Sequence, residues 1–337
     1  MSEPKQILNQ RRIKMSNLTY GEAIKEAIEL EMKKDPMVFL AGEDVAKLGG
    51  AFGVTSGLYD EFGPERILNT PISETAIIGL GVGSAALGMR PIVELMYVDF
   101  AGVAMDEIMN QAAKMRYMFG GVCTMPLVVR AASGATVRAA AQHSQTLEAM
   151  FTHIPGLKVV MPATPADAKG LLLTAIRDDN PVMFLEHKAL YSMKGEVPEG
   201  DYTVPFGKAN VMREGSDITI VSWSMMTQVA MQAAGQLAEK GISAEVVDLR
   251  SLVPLDKETI LNSISKTHRL AIVQEAVHTS GFASEIAAIV AEECLDELDE
   301  NILRITAPDC PVPYSPVLED AYVPGPDKVA DMIAEIF

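Results

Sequence analysis

Short apolar segments alternate with longer amphipathic segments along most of the chain. The short runs predict strands, and segments with apolar residues at every third or fourth position predict helices. The predicted strands cover residues 37–41, 92–95, 126–130, 158–161, 182–186, 218–222, 244–248, 270–274 and 302–306. The predicted helices cover residues 19–34, 74–89, 100–117, 165–177, 226–240 and 282–294, and further helices begin near residues 146, 256 and 327. This alternation predicts crossover units, so we expect an α/β fold with mostly parallel sheets flanked by helices.

The alternation stops once, in residues 189–208, which are rich in proline, glycine and charged side chains. A segment of this composition is typical of a linker between domains. A chain of 337 residues is long enough for two domains. We therefore expect a flexible N-terminal extension at residues 1–18, a first domain at 19–188, a linker at 189–208 and a second domain at 209–337.

The helix predicted at residues 74–89 differs from the others because it is apolar on every side. Residues 76–89 carry no charge before Arg90, and a helix of this kind is typical of a buried position. Ser73 is placed to cap its N-terminus with its hydroxyl. Glu74 is the lone carboxylate at that end. Locally, the pattern favours a carboxylate that complements the helix dipole, with a chemical role as the alternative.

The charge, the cysteines and the apolar segments of the chain argue against several classes of function. The chain has 45 acidic and 28 basic residues, for a net charge of −17, which argues against nucleic acid and anionic membranes as partners. Its three cysteines are far apart and match neither a metal-ligand spacing nor a disulfide framework. The N-terminus lacks the apolar segment of a secretory signal, and the longest apolar run is too short to span a bilayer. We expect a cytoplasmic protein.

Few motifs point to chemistry on their own. The glycines at 79–83 lie inside a predicted helix, whereas a dinucleotide-binding fingerprint needs them between a strand and a helix. Phosphate-loop and serine-elbow motifs do not occur. Besides Glu74, this leaves His143, in a loop of small residues after a predicted strand, where open parallel sheets place ligands. A loop histidine bonded to backbone is the alternative for this residue.

Three motifs together carry a family resemblance: ISET at residues 72–75, QHSQ at 142–145 and HIPGLKVVMPATPADAKGLL at 153–172. From about Thr19 to the C-terminus, the chain resembles the beta subunit of thiamine-diphosphate-dependent 2-oxo acid dehydrogenases. The resemblance implies a transketolase-like pyrimidine-binding domain followed by a transketolase C-terminal-like domain. Within the family, RYMFGG (116–121), RAAAQHSQ (138–145) and SPVLEDAYVPGPDKV (315–329) are most similar to the acetoin dehydrogenase branch.

The resemblance assigns roles to five residues. It implies that the Glu74 carboxyl hydrogen-bonds the aminopyrimidine of thiamine diphosphate and promotes loss of the thiazolium proton. Phe100 matches the aromatic residue that lies against this ring, and Ile72 and Met96 match its apolar neighbours. His143 matches the histidine that faces the substrate and the lipoyl group. Val103 stands where pyruvate-specific relatives carry glutamine, which weakens the case for a pyruvate pocket.

The resemblance also implies ions and partners. A structural potassium site would use backbone oxygens of Leu127, Ala175 and Ile176, with Asp178 and Asn180 nearby. From the sequence alone, residues 178–181 are simply a turn. The family motif that binds magnesium and the diphosphate is absent from this sequence and belongs to the alpha subunit. We therefore expect an α2β2 heterotetramer with the coenzyme at the subunit interface, and a lipoyl-bearing acyltransferase as a further partner.

The implied activity is cleavage of acetoin to acetaldehyde and a two-carbon unit that passes to lipoamide or a dye acceptor. One alternative is a beta subunit that acts on pyruvate or a branched-chain 2-oxo acid. A second is a non-catalytic scaffold that docks the acyltransferase core, although the presence of both Glu74 and His143 argues against a purely structural role.

Overall fold

The computed structural model describes residues 14–337, which form two mostly parallel sheets, a small two-stranded ribbon and flanking helices. The strands are β1 Met15–Thr19, β2 Val38–Gly42, β3 Ile67–Asn69, β4 Arg90–Leu95, β5 Val128–Ser133, β6 Lys158–Val160, β7 Val182–His187, β8 Lys194–Pro198, β9 Asn210–Arg213, β10 Ile218–Ser222, β11 Ala244–Asp248, β12 Ser251–Val253, β13 Leu270–Val277 and β14 Leu303–Ala307. The α-helices are α1 Tyr20–Lys34, α2 Leu58–Phe62, α3 Glu74–Ala86, α4 Ala113–Met118, α5 Glu148–Thr152, α6 Pro165–Arg177, α7 Met225–Glu239, α8 Lys257–Thr267, α9 Phe282–Glu293, α10 Pro316–Tyr322 and α11 Pro326–Ala334.

The first sheet has seven strands in the order β12-β6-β7-β5-β4-β2-β3. Six of them are parallel, and β12 pairs antiparallel with β6 at one edge. The second sheet has the order β14-β13-β10-β11-β9, with only β9 antiparallel. The predicted α/β fold with two mostly parallel, helix-flanked sheets is confirmed. The short β12 was not predicted, and it joins the second half of the chain to the first sheet.

The N-terminal extension and the linker contain more regular structure than their composition predicts. Strands β1 and β8 pair antiparallel, from Met15 opposite Pro198 to Thr19 opposite Lys194. Part of the predicted linker therefore packs on the first domain, and the last residues of the predicted extension belong to a strand. Residues 1–13 of that extension lie outside the described residues. The exact domain boundaries stay predictions.

Helix α3 is only half buried in this chain, so the prediction of a fully buried helix was wrong. One face packs on the sheet and includes Ile78 and Gly81; a Cβ on Gly81 would lie 2.7 Å from the Leu127 side chain. The opposite face exposes 38% of Leu80. Ser73 is the N-cap residue, but its hydroxyl makes no capping hydrogen bond. The apolar character of α3 therefore exceeds what the single chain buries.

The helix predicted at residues 100–117 is three successive helical segments. A 3₁₀ segment, Val98–Ala104, is followed by a π-helical segment, Glu107–Ala112, and then by α4. Asp106 accepts side-chain hydrogen bonds from Asn110 at 2.7 Å and from Gln111 at 3.4 Å at the start of the π segment. Segments of this kind are frequent at functional sites.

The two domains share one hydrophobic core. Trp223 and Phe282 of the second domain, which meet edge to face at 5.8 Å, belong to the cluster that includes Phe151 of the first. Inside this junction, the Trp223 Nε1–H donates to Glu148 Oε1 at 3.2 Å. Within residues 14–337, the second oxygen of Glu148 has no hydrogen-bond partner. A shared apolar core makes the two domains one packed unit.

Beneath the carboxyl ends of the central strands lies a buried ion cluster. Arg130 on β5 donates to both oxygens of Glu186 on β7, at 2.7 and 2.8 Å, and to Glu94 on β4 at 2.6 Å. Tyr191 donates its hydroxyl to Glu186 at 2.8 Å. The guanidinium fork thus connects three adjacent strands through charge-assisted bonds.

Two further findings concern membrane-spanning helices and the thiols. None of the helices in the described part of the chain is long and apolar enough to cross a membrane. Cys123, Cys294 and Cys310 are all free thiols, as their spacing predicts.

Replacing Arg130 tests the ion cluster. Arg130→Met should lower the free energy of unfolding by about 3–5 kcal/mol, because two buried carboxylates lose their cation. Urea unfolding measures the change. The control is Lys240→Met, which breaks an exposed pair with Asp331 and should cost less than about 1 kcal/mol. Equal losses in the two variants would show that the buried cluster does not stabilise the sheet.

Glu148, buried between the two domains, should make the stability of the protein depend on pH. Burial raises the pKa of Glu148 from 4.5 to about 7, and the bond from Trp223 opposes the shift only in part. Between these pH values the folded protein binds more protons than the unfolded chain, so this group lowers stability as pH rises. Relative to wild type, Glu148→Gln should therefore gain up to about 3 kcal/mol between pH 4 and pH 8.

Fluorescence of Trp223, the single tryptophan, follows urea unfolding of both proteins across that pH range. A stability difference that stays constant with pH would contradict a raised pKa at Glu148.

Candidate active site

Candidate side chains follow four adjacent strands at the carboxyl edge of the first sheet. Glu43 follows β2, Tyr97 lies two residues beyond β4, His143 lies in the loop 134–147 after β5, and Lys188 follows β7. The strands β7, β5, β4 and β2 are neighbours and parallel. Their carboxyl ends therefore meet at one edge, where open α/β sheets bind ligands.

An aromatic cluster forms the centre of this edge. The ring of His143 meets Tyr97 at 4.8 Å and Phe100 at 5.1 Å between ring centres, both edge to face. Tyr97 also contacts Phe100 at 5.8 Å and Phe52 at 5.8 Å. The structure thus brings two of the predicted site residues, Phe100 and His143, into direct contact. In residues 14–337, neither imidazole nitrogen of His143 has a hydrogen-bond partner, which leaves both nitrogens accessible to a ligand.

Glu74 begins α3 and is half buried. Its neighbour Thr75 donates its hydroxyl to the carbonyl of Val103 at 2.9 Å. Val103 lies in the same 3₁₀ segment as Phe100, so the helix of Glu74 is tied to the segment that carries the aromatic ring. Burial, followed by the charges of Glu74 and Asp44, raises the pKa of Glu43. The charge of Glu74 therefore acts on the Glu43 carboxyl.

The remaining two predicted coenzyme neighbours lie in different surroundings. Met96 lines a small cavity between the aromatic cluster and the buried Arg130, together with Phe52 and Tyr191. Ile72 is 81% exposed and lies two residues before Glu74, ahead of α3. A carboxyl group, an aromatic face and apolar side chains are the groups that suit a flat heterocycle with ring nitrogens, so these residue types fit an aminopyrimidine.

The loop 134–147, which carries His143, has an unusual backbone conformation at three other residues. Thr136, Arg138 and Ala140 have φ angles of 74°, 60° and 60°. Residues other than glycine adopt this left-handed backbone conformation at a cost of roughly 1–2 kcal/mol per residue. Such strain needs support from the surrounding structure. Strained backbone of this kind clusters at active sites and ligand clamps.

One support comes from Lys188, a buried cation under the aromatic cluster. Its ammonium donates to the carbonyl of His143 and lies 5.2 Å from the centre of the Tyr97 ring. Burial lowers the pKa of Lys188 to about 8, although Asp99 and Glu275 oppose the shift. Asp99 in turn accepts from both the backbone and the side chain of Gln145, at 3.1 and 2.9 Å. The end of the loop is thus held by both charges.

The residues predicted to bind potassium lie together near the start of β7. Asp178 accepts from the backbone and side chain of Asn180, both at 2.8 Å, and pairs with Lys158. The carbonyl of Leu127 accepts from Val182 at 2.9 Å, and the carbonyl of Ile176 accepts from the Arg90 guanidinium at 2.8 Å.

Ala175 completes the group, and its carbonyl accepts from the backbone of Asp178 at 3.2 Å. Each carbonyl oxygen keeps a second lone pair. Potassium at this segment stays a prediction.

Sequence reasoning missed Glu43, Tyr97 and Lys188. A lone charged residue at a strand end gives no local pattern, and the predicted strand at 182–186 stopped before His187 and Lys188. Their shared position, immediately after parallel strands, is the signal that could have identified them. Asp178 illustrates the opposite case, because its turn was visible while its partner Lys158, 20 residues earlier, was not.

Comparison with known proteins agrees with this architecture. The transketolase pyrimidine binding domain matches residues 16–194, and the transketolase C-terminal domain matches residues 207–329. A solved structure described as a split gene transketolase, an inactive β4 tetramer, superposes with a TM-score of 0.78 at 25% identity. It covers 95% of this chain and 98% of its own.

Curated relatives are more similar in sequence. The beta subunit of acetoin:2,6-dichlorophenolindophenol oxidoreductase is 52% identical in Cupriavidus necator, over 91% of this chain and 94% of the relative, and 51% identical in Bacillus subtilis, over 95% and 97%. The 2-oxoisovalerate dehydrogenase beta subunit of Bacillus subtilis is 48% identical over 96% of this chain and 99% of its own length. The chain therefore belongs to the transketolase-like beta subunits of the acetoin and 2-oxo acid dehydrogenase family.

Proposed function

We propose that this chain is the beta subunit of a thiamine-diphosphate-dependent acetoin dehydrogenase. The observation that carries the proposal is the contact of His143 with Phe100. Phe100 lies in the 3₁₀ segment that a hydrogen bond ties to the helix of Glu74. The two relatives with the highest identity reported above both use acetoin as the named substrate. Val103 supports the same choice, because it places an apolar side chain, 66% exposed, beside the site.

The residues of this chain would hold the pyrimidine half of the coenzyme. The Glu74 carboxyl would hydrogen-bond a ring nitrogen, Phe100 would pack against the ring, and Ile72 and Met96 would be its apolar neighbours. When bound, thiamine diphosphate supplies a nucleophilic thiazolium carbon. Glu74 would hold the proton at the ring nitrogen that makes the neighbouring amino group basic.

His143 would act on the substrate itself. Cleavage of the carbon–carbon bond of acetoin releases acetaldehyde, and this requires loss of the proton from a carbinol hydroxyl. A neutral imidazole nitrogen of His143 can take that proton, because in the described chain no protein group occupies it. Decarboxylation of a 2-oxo acid needs no such base, so this step distinguishes acetoin from pyruvate or a branched-chain substrate.

The exposed apolar surface of this chain supports an alpha subunit as the missing half. Helix α3 exposes Leu80, and the segment after α4 exposes 58% of Phe119 and 90% of Val122. Large exposed apolar side chains of this kind are typical of interfaces. The alpha subunit would supply the magnesium and diphosphate site in an α2β2 assembly, and a lipoyl-bearing acyltransferase would accept the two-carbon unit.

The first prediction concerns Glu74. In the enzyme assembled with its alpha subunit, Glu74→Gln should slow deuterium exchange at the thiazolium carbon of the bound coenzyme by at least about a hundredfold, because the amide cannot hold the proton. NMR after rapid acid quench measures the exchange. Glu65→Gln, at an exposed position, is the matched control and should exchange like wild type. Wild-type exchange in Glu74→Gln would refute this role.

The second prediction concerns His143 and the substrate. His143→Ala should slow single-turnover release of acetaldehyde from acetoin by roughly a hundredfold or more, the typical effect of losing a general base. Release of carbon dioxide from pyruvate should fall far less. His153→Ala, an exposed histidine of the same domain, serves as the control.

Equal losses on acetoin and pyruvate would mean that His143 only positions the substrate or serves transfer to lipoamide. The acetoin assignment would then rest on sequence similarity alone.

A further inference from the structure

The second domain reaches into the active site through two buried carboxylates. Glu275 lies on β13 and Glu319 on α10, and they are 4% and 1% exposed. Both accept hydrogen bonds from the loop 134–147 of the first domain, which carries His143. Glu275 Oε1 accepts from the backbone of Ala135 at 2.5 Å and from the hydroxyl of Thr146 at 3.3 Å. One carboxylate oxygen thus joins the two ends of the loop.

Glu319 holds the strained part of the same loop. Its carboxylate accepts from the backbone N–H groups of Thr136 at 3.0 Å and Arg138 at 3.3 Å, and from the Arg138 guanidinium at 2.5 Å. Thr136 and Arg138 are two of the residues with positive φ. The left-handed conformation turns their N–H groups to one side, as in the backbone concavities that bind anions. The second domain therefore supplies the anion for which this backbone is shaped.

Glu275 is itself fixed by His187. The Ala189 N–H donates to His187 Nδ1 at 3.2 Å, so the ring proton is on Nε2, which contacts Glu275 Oε2 at 2.7 Å. Burial raises the pKa of Glu275, but the interaction with His187 and the bonds from Ala135 and Thr146 outweigh it, and the pKa lies below its ordinary value. Glu275 is therefore an anion and can accept from all three donors.

Gly134 is required at the point where the loop begins. Its φ is +85°, and a Cβ there would lie 2.0 Å from Nε2 of His187. The start of the loop, His187 and Glu275 are thus packed without room for a side chain between them.

We propose that Glu275 and Glu319 are positioning residues, through which the second domain sets the place of His143 in the active site. The proposal rests on the proposed role of His143. The loop needs this support because Thr136, Arg138 and Ala140 have strained left-handed backbone. Lys188 and Asp99 fix the end of the loop from the first domain. Glu275 and Glu319 fix its start, at residues 135, 136 and 138, and Glu275 also bonds Thr146 near the end. The second domain thereby contributes to chemistry without touching the substrate.

The experiment uses the enzyme assembled with its alpha subunit. Glu319→Gln should lower kcat for acetoin roughly tenfold to a hundredfold, since small misplacements of a catalytic group have effects of this size, and KM should stay near the wild-type value. Amide hydrogen exchange at Thr136 and Arg138 should become faster. In a His143→Ala background, Glu319→Gln should cause no further loss, because both changes remove the same function. Glu275→Gln should behave in the same way.

Asp320→Asn is the matched control. Asp320 is adjacent to Glu319 on α10 and pairs with the same Arg138 at 2.7 Å, but it accepts nothing from the loop backbone. It should keep wild-type kcat and exchange, which separates the backbone contacts from the arginine pair.

Three results would overturn the proposal. The first is an equal loss from Glu319→Gln with and without His143, and the second is unchanged exchange at Thr136 and Arg138 in the variant. The third applies if Glu319→Gln does not assemble, and it is fast amide exchange at Thr136 and Arg138 in the wild-type enzyme. Slow exchange at these two amides would support the positioning role of Glu319. A wild-type kcat for acetoin in His143→Ala alone would refute the role of His143. The exchange data would still test whether Glu319 holds the loop.

Discussion

Burial of charge at the carboxyl edge of the first sheet is the constraint on which the site depends. A buried charge is costly unless another charge or well-placed hydrogen bonds compensate it. Arg130 meets this requirement with Glu94 and Glu186 beneath the site. Under the aromatic cluster, the charge of Lys188 is compensated by the carbonyl of His143. The charge of Glu319 is compensated by two backbone N–H groups of the same loop. The need for partners therefore fixes the loop that carries the histidine.

The same reasoning explains why the two domains form one unit. Their contact contains both apolar packing around Trp223 and the polar contacts of Glu275 and Glu319, which have little geometric tolerance. Apolar packing alone would permit small shifts between domains, whereas several directional bonds to one loop would not. Helix α3 shows the complementary situation, because its unburied apolar face indicates that the architecture is completed by another chain.

Much of the fold could be predicted because buried parallel strands are short apolar runs with clear ends. The helix at α6 agrees with its prediction from Pro165 to Arg177, where Thr164 caps the first turn. The pair β1 and β8 could not be predicted, since its strands are partly polar and pair across about 180 residues of sequence. Strand β12 has three residues and pairs with the other domain, so it has no local pattern.

The site was predictable to a different degree. Glu74 and His143 were found through motifs that resemble a family, and the structure adds that His143 contacts Phe100. Glu275 had no such signal, because a single glutamate on a strand looks like any solvent-exposed one. Glu319 lies in the motif at residues 315–329, but the motif assigned it no role. Their role depends on contacts between residues 140 and 183 positions apart. Only the three-dimensional structure reveals such pairs.

Substrate turnover by the assembled enzyme tests the central claim most directly. The chain would be combined with the alpha subunit of an acetoin dehydrogenase, thiamine diphosphate and magnesium, and dye reduction would be followed with acetoin, pyruvate or 2-oxoisovalerate. The account predicts the highest kcat/KM with acetoin and no turnover by this chain without an alpha subunit. Faster turnover of either 2-oxo acid, or turnover by the isolated chain, would contradict it.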